Sequence, residues 1–301
     1  MKFFALFKRI GLFLLVNLMV MVTITIFLNV ILPLFGINLN PASMGGLMVF
    51  CLAWGMGGAF ISLFLSKTIA KFSMGVKIID PNSASGEERE LVNMVHRMAQ
   101  AAQLPKMPEV GIYDSPDVNA FATGPSRSNS LVAVSTGLLH NMNKAEVEGV
   151  IGHEVAHVAN GDMVTMTLIT GIVNAFSMFL SRVIARAIAS NMDEKVAGIA
   201  YFALTIAFDI AFSILGSIVV SYFSRRREFR ADYGGAVYAG RDKMIAGLRK
   251  LQSMYERMEP DNSNMATLKI SSKPAGLMAL FSTHPSLESR IQRLQEAVIV
   301  R

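Results

Sequence analysis

The chain has 301 residues, of which 52% are hydrophobic and only 17% charged, and its mean hydropathy is +0.44. That leaves too little polar surface to cover an ordinary soluble globule, so a membrane protein is the expected class. The excess of 28 Lys and Arg over 22 Asp and Glu, a formal +6, is read as membrane anchoring and not as nucleic-acid binding, and the single cysteine, Cys51, excludes a disulfide framework.

Four apolar stretches, at about 10–35, 44–65, 163–181 and 196–222, reach the roughly 20 residues of one crossing. The first follows Lys2, Lys8 and Arg9 but is too long for a signal peptide and lacks a small-residue cleavage site, so it reads as a retained anchor. The connector "GINLNPAS" (36–43) is uncharged, whereas Lys67, Lys71 and Lys77 follow the second span. The positive-inside rule therefore places the N-terminus and residues 66–160 in the cytoplasm and makes 1–79 a transmembrane hairpin.

"DPNSASGEE" (80–88) marks a boundary, after which Leu91, Val92, Val95, Met98 and Ala102 recur at helical spacing. "EVGIYD" (109–114) and "SLVAVS" (130–135) read as short strands, and Asn143 with Glu146 resembles a capping box opening a helix that runs through residue 157. Residues 80–162 thus form the first half of a soluble domain, 163–222 a second hydrophobic hairpin, and 223–301 the second half. Span four ends in "SRRREFR" (224–230), whose arginines read as interfacial anchors that return the chain to the cytoplasmic face. Arg182 and Arg186 near the outer turn point to a shallow hairpin or one lodged in protein, and Asp209 is expected to face the bundle interior or water. Helices are expected over 241–257 and 286–299, with a polar linker at about 260–274.

The chemistry lies in "HEVAH". On a helix His153 and His157 are four residues apart on one face, so both imidazoles can grip one cation. Glu154 beside them can reach a metal-bound water without ligating, as a general base does. A catalytic zinc needs a third protein ligand, for which Glu228 is the candidate, and Asp232 one turn later can accept the second ring N–H of a ligating histidine. The alternative for Glu228 and Asp232 is pairing with the neighbouring arginines. An intramembrane protease would carry its His-Glu-x-x-His inside a span, whereas here the motif precedes one.

"GHEVAHVANGD" (152–162), "SRRREFRAD" (224–232) and "NAFATG" (119–124), in a chain with two apolar hairpins, resemble the HtpX family of membrane zinc metalloproteases, which is related to the CAAX prenyl proteases. The resemblance covers nearly the whole chain. It implies that His153, His157 and Glu228 bind one zinc ion, that Glu154 is the base, and that the activity is endoproteolysis in membrane-protein quality control and stress response. It also implies a bacterial inner-membrane location with both termini cytoplasmic, and misfolded membrane proteins, the bilayer and other membrane proteases as partners.

Two further features stay double. "VNAFATG" (118–124) is either a buried strand or an edge on which substrate pairs through Asn119, Ala120, Phe121 and Ala122; the resemblance favours the edge. His284 is either a donor to the oxyanion or a helix-start histidine beside Pro285. The expected fold is mainly α: four hydrophobic helices in two hairpins, with a cytoplasmic zincin-like α+β catalytic domain carrying a small edge sheet. The rival from another class is a non-catalytic membrane adaptor braced by zinc, though structural zinc normally has a closed four-ligand site, often rich in cysteine.

Overall fold

A computed structural model describes residues 18–36, 40, 43–258 and 280–299. The expected linker at 260–274 and the start of the first span lie outside the described residues. The chain divides into two compact units, one of Met1–Leu63 with Met166–Val220, the other of Phe64–Thr165 with Ser221–Arg301.

The first unit is helical. α1 (Leu18–Leu34) is followed by α2 (Met44–Met74), α6 (Asp162–Ala189) and α7 (Glu194–Ala239), and the last three are long and apolar enough to cross a membrane. The described part of α1 falls short of that length. α2 and α6 approach closely, since a Cβ on Gly55 would lie 2.6 Å from the backbone nitrogen of Ala175. Small residues at such contacts let backbones meet where lipid supplies no hydrophobic drive. α6 and α7 run antiparallel: Gly216 lies under Val173, Ser177 Oγ donates to Phe212 O at 3.3 Å, and Arg182 lies 3.6 Å from Asp209. That ion pair supplies the company Asp209 requires in an apolar helix.

The second unit holds a four-stranded mixed sheet of order β1-β2-β4-β3, formed by β1 (Lys77–Ile78), β2 (Glu109–Tyr113), β3 (Ala120–Ser126) and β4 (Asn129–Ser135). β2 and β4 are parallel, and β1 and β3 pair antiparallel at the two edges. Val110, Val132 and Val134 face a core shared with α3 (Gly86–Ala101) and α5 (Lys144–Asn160), where Val95, Met98, Ile151 and Val155 are fully buried. Each such side chain contributes about 1.5–3 kcal/mol relative to exposure. The expected spacing of Leu91, Val92, Val95 and Met98 is the buried face of α3. α4 (Thr136–Asn141) links β4 to α5, and α8 (Arg241–Met258) and α9 (Leu287–Glu296) complete the unit.

Two elements outrun their expected ends. α2 continues to Met74, so that Lys67 and Lys71 reach Glu109 at 2.8 and 2.6 Å and tie the helix end to β2. The fourth apolar stretch and the segment "EFRAD" form one uninterrupted 46-residue helix, α7, because no Gly or Pro signal separates them.

Candidate metal centre

α5 starts as a capping box: Glu146 N donates to Asn143 Oδ1 at 3.0 Å, and Asn143 N donates to Glu146 Oε2 at 2.9 Å. It ends at Gly161, which adopts a left-handed φ of 68° that any other residue type except Asn would resist. That turn sets Asp162 at the head of α6, beneath the ring of His157. Within the second unit α5 packs on the last turns of α7 through glycines. A Cβ on Gly235 would lie 3.0 Å from His153 N, and one on Gly152 would lie 2.9 Å from Ala239 Cβ. This close approach delivers Glu228 and Asp232 to the two histidines.

His153, His157 and Glu228 expose 8%, 9% and 1% of their surface, and one ligand atom from each lies within 4.8 Å of the others. His157 Nε2 is 3.1 Å from His153 Nε2, and the two Glu228 oxygens lie 3.4 Å from one or the other ring nitrogen. Both Nδ1 atoms are taken by carboxylates. His157 Nδ1 meets Asp162 Oδ2 at 2.7 Å and His153 Nδ1 meets Asp232 Oδ1 at 2.9 Å. Each aspartate is backed by an arginine: Arg230 Nη2 donates to Asp162 at 2.5 Å, and Arg290 donates to Asp232 through Nε at 2.8 Å and Nη2 at 2.6 Å.

This arrangement sets the tautomers. With the ring protons on Nδ1, both Nε2 lone pairs and the Glu228 carboxylate converge on one buried point. Glu228 Oε1 is buried there without a hydrogen-bond donor. The Arg290 guanidinium lies 3.6 Å from Glu228 Oε2 and 3.3 Å from His153 Nδ1 at the rim of this point, and the donor set of two imidazoles and one carboxylate suits a divalent transition metal with a fourth position open.

Glu154 is half-buried and its side chain makes no hydrogen bond or ion pair among the described residues, so its carboxylate is not committed elsewhere. His284 comes to the site, with Nδ1 3.1 Å from Glu228 Oε2 and its side chain 61% exposed. Asn119 N and O pair with Ser135 at the start of β3, and Tyr113 OH donates to Asn119 O at 3.4 Å. β3 is an edge strand packed beside α5. Ala120 and Ala122 pack against the α5 core while the Phe121 ring lies tilted against Tyr113 on the other face, so among the described residues the backbone of β3 is what its outer edge offers.

The sequence reading missed Asp162, Arg230 and Arg290. Asp162 had a local signal, directly following the helix-stopping Asn-Gly. Arg290 had none, lying 137 residues from His153. His96, outside the site, places Nε2 3.2 Å from Pro108 O.

Residues 85–298 match the model of peptidase family M48. "Protease HtpX homolog" of Bacillus subtilis (strain 168) is 52% identical over 296 residues, covering 96% of this chain and 99% of that protein. "Protease HtpX" of Tolumonas auensis is 49% identical over 295 residues with the same coverage. A crystal structure of S. mikatae Ste24p shares the fold at a TM-score of 0.58 and 16% identity, over 92% of this chain and 65% of that one.

Proposed function

Because the chain belongs to peptidase family M48, we propose that this membrane metallopeptidase is a zinc endopeptidase that cuts misfolded or damaged membrane proteins at the cytoplasmic face of the bacterial inner membrane. One observation carries the reading: two imidazoles and a carboxylate converge at Nε2 and Oε while both Nδ1 atoms are held by aspartates. His153, His157 and Glu228 would hold the zinc, which when bound lowers the pKa of a coordinated water toward about 7 and polarises the scissile carbonyl. Glu154 accepts a proton at its free carboxylate and returns it to the departing amine nitrogen. Asp162 and Asp232 keep the ligand rings in register, and His284 donates a hydrogen bond to the oxyanion.

The proposed substrate class follows from what β3 offers. An unpaired backbone edge binds any extended segment by main-chain hydrogen bonds, with little demand on its side chains, and extended segments are what a misfolded protein exposes. The apolar helices support capture from the membrane, and Lys67, Lys71 and the arginines at 225–227 support a cytoplasmic site by the positive-inside rule.

The test compares wild type with Glu154→Gln, purified in detergent with chelator and reloaded with zinc, on a denatured membrane protein. Equal zinc content with cleavage only by wild type is expected. Equal zinc with neither protein active would instead support a zinc-braced adaptor, and loss of zinc in the variant would make Glu154 structural.

A further inference from the structure

One face of α7 carries Ser221, Arg225, Glu228 and Asp232 at spacings of four, three and four residues, and each grips the C-terminal segment in turn. Ser221 Oγ donates to Phe281 O at 3.1 Å. Arg225 Nη1 donates to Leu280 O at 3.0 Å and to Ser282 O at 2.6 Å. Glu228 meets His284, and Asp232 meets Arg290. Three consecutive backbone carbonyls, two residues ahead of His284, are thus fastened to the helix that supplies the third metal-ligand candidate. Ser282 Oγ closes the short turn between them by donating to His284 O at 2.7 Å.

We propose that Arg225, assisted by Ser221, is a positioning residue for catalysis, holding the Leu280–Ser282 backbone so that His284 faces the metal group. The proposal rests on the reading of His284 as the oxyanion donor. The physical need is plain. The His284 side chain is 61% exposed and is oriented only at one end, by the 3.1 Å contact of Nδ1 with Glu228, so its direction also depends on the backbone beneath it. A donor displaced by about 1 Å loses most of its effect on the transition state. Arg225 suits the task because both bonds leave one nitrogen, Nη1, whose two hydrogens are fixed in the guanidinium plane and so hold the two carbonyls in set directions. The sequence reading of this arginine as an interfacial anchor requires only its charge. Lysine therefore separates the two: it keeps the charge but presents it on a shorter, freely rotating ammonium without that fixed planar geometry.

The experiment uses the full chain in detergent, loaded with zinc, as wild type, Arg225→Lys, Arg225→Ala, Ser221→Ala, His284→Ala and Arg225→Ala/His284→Ala. Zinc content, kcat and KM on a denatured membrane protein, and amide hydrogen exchange over residues 280–286 are measured. His284→Ala is expected to lower kcat about 10²–10³-fold. Arg225→Lys and Arg225→Ala should lower kcat by about tenfold or more, with KM and zinc content within twofold of wild type and faster exchange over 280–286. Ser221→Ala, which removes one bond of the three, should show the same pattern more weakly. The double variant should be no slower than His284→Ala, because Arg225 acts through that histidine. Wild-type kcat and exchange in Arg225→Lys would overturn the proposal in favour of a charge anchor. Zinc loss in Arg225→Ala would also overturn it, by showing that the arginine braces the metal site itself. A fully active His284→Ala would sink the reading of the oxyanion donor, whereas a slow His284→Ala beside fast Arg225 variants would sink only the positioning role.

Discussion

Asp162 and Asp232 give the metal centre its direction. An imidazole free in water exchanges its proton between both nitrogens, but a carboxylate 2.7–2.9 Å from Nδ1 holds the proton there and leaves Nε2 as the lone pair. Partners of this kind typically set metal affinity by 10–100-fold. Asp162→Asn and Asp232→Asn should each weaken zinc binding by about that factor in a chelator competition, and a variant that held zinc as tightly as wild type would remove its aspartate from the site. Asp232 was legible in the sequence because it lies one turn from Glu228 on the same helix. Asp162 was marked only by its place after the helix-stopping Asn-Gly; that it reaches His157 depends on the left-handed turn at Gly161, which a helical wheel of either helix alone does not show.

Between elements, α5 is held from two sides: by α7 through glycines, and by α3 and α8 through one buried carboxylate. Glu148 is 4% exposed, lies 3.0 Å from Arg97 on α3, and also bonds Lys243 on α8. Burial opposes its charge, but these two cations lower its pKa below the ordinary carboxylate range. A group with a depressed folded pKa stabilises the protein above its unfolded pKa of about 4.3, and that stability is lost as pH falls through the folded value. Both cations are substantially solvent-exposed, so the contribution is only about 1 kcal/mol. Glu148→Gln should therefore lower the thermal midpoint slightly at pH 7 and flatten its fall between about pH 5 and 3. Equal acid sensitivity in both proteins would show that the triad contributes nothing. The strands and helices around this triad were readable from alternation, spacing and capping residues. β1 was not, since two residues carry no period.

At the level of the whole chain, the apolar helices carry an ion pair between α6 and α7. Asp209 Oδ1 is buried and its nearest cation is Arg182 at 3.6 Å, so removing one partner leaves a charge among apolar helices. Asp209→Ala should destabilise this unit by roughly 1–3 kcal/mol, and Asp209→Leu with Arg182→Met should recover most of it. Trp54, the single tryptophan, stands in α2 of the same unit, so its fluorescence reports the transition. No change in Asp209→Ala would mean that the pair is solvated. Composition, apolar run length and the His-Glu-x-x-His spacing were enough to give a membrane metallopeptidase, because hydropathy and helical periodicity are local properties that each segment carries wherever it folds. The edge position of β3, the pairing of Asp209, and the convergence of Asp162, Arg230, Arg290 and His284 on the metal group depend on contacts between residues far apart in the chain. Those contacts are set by which helix faces are small enough to meet, and no local pattern encodes that.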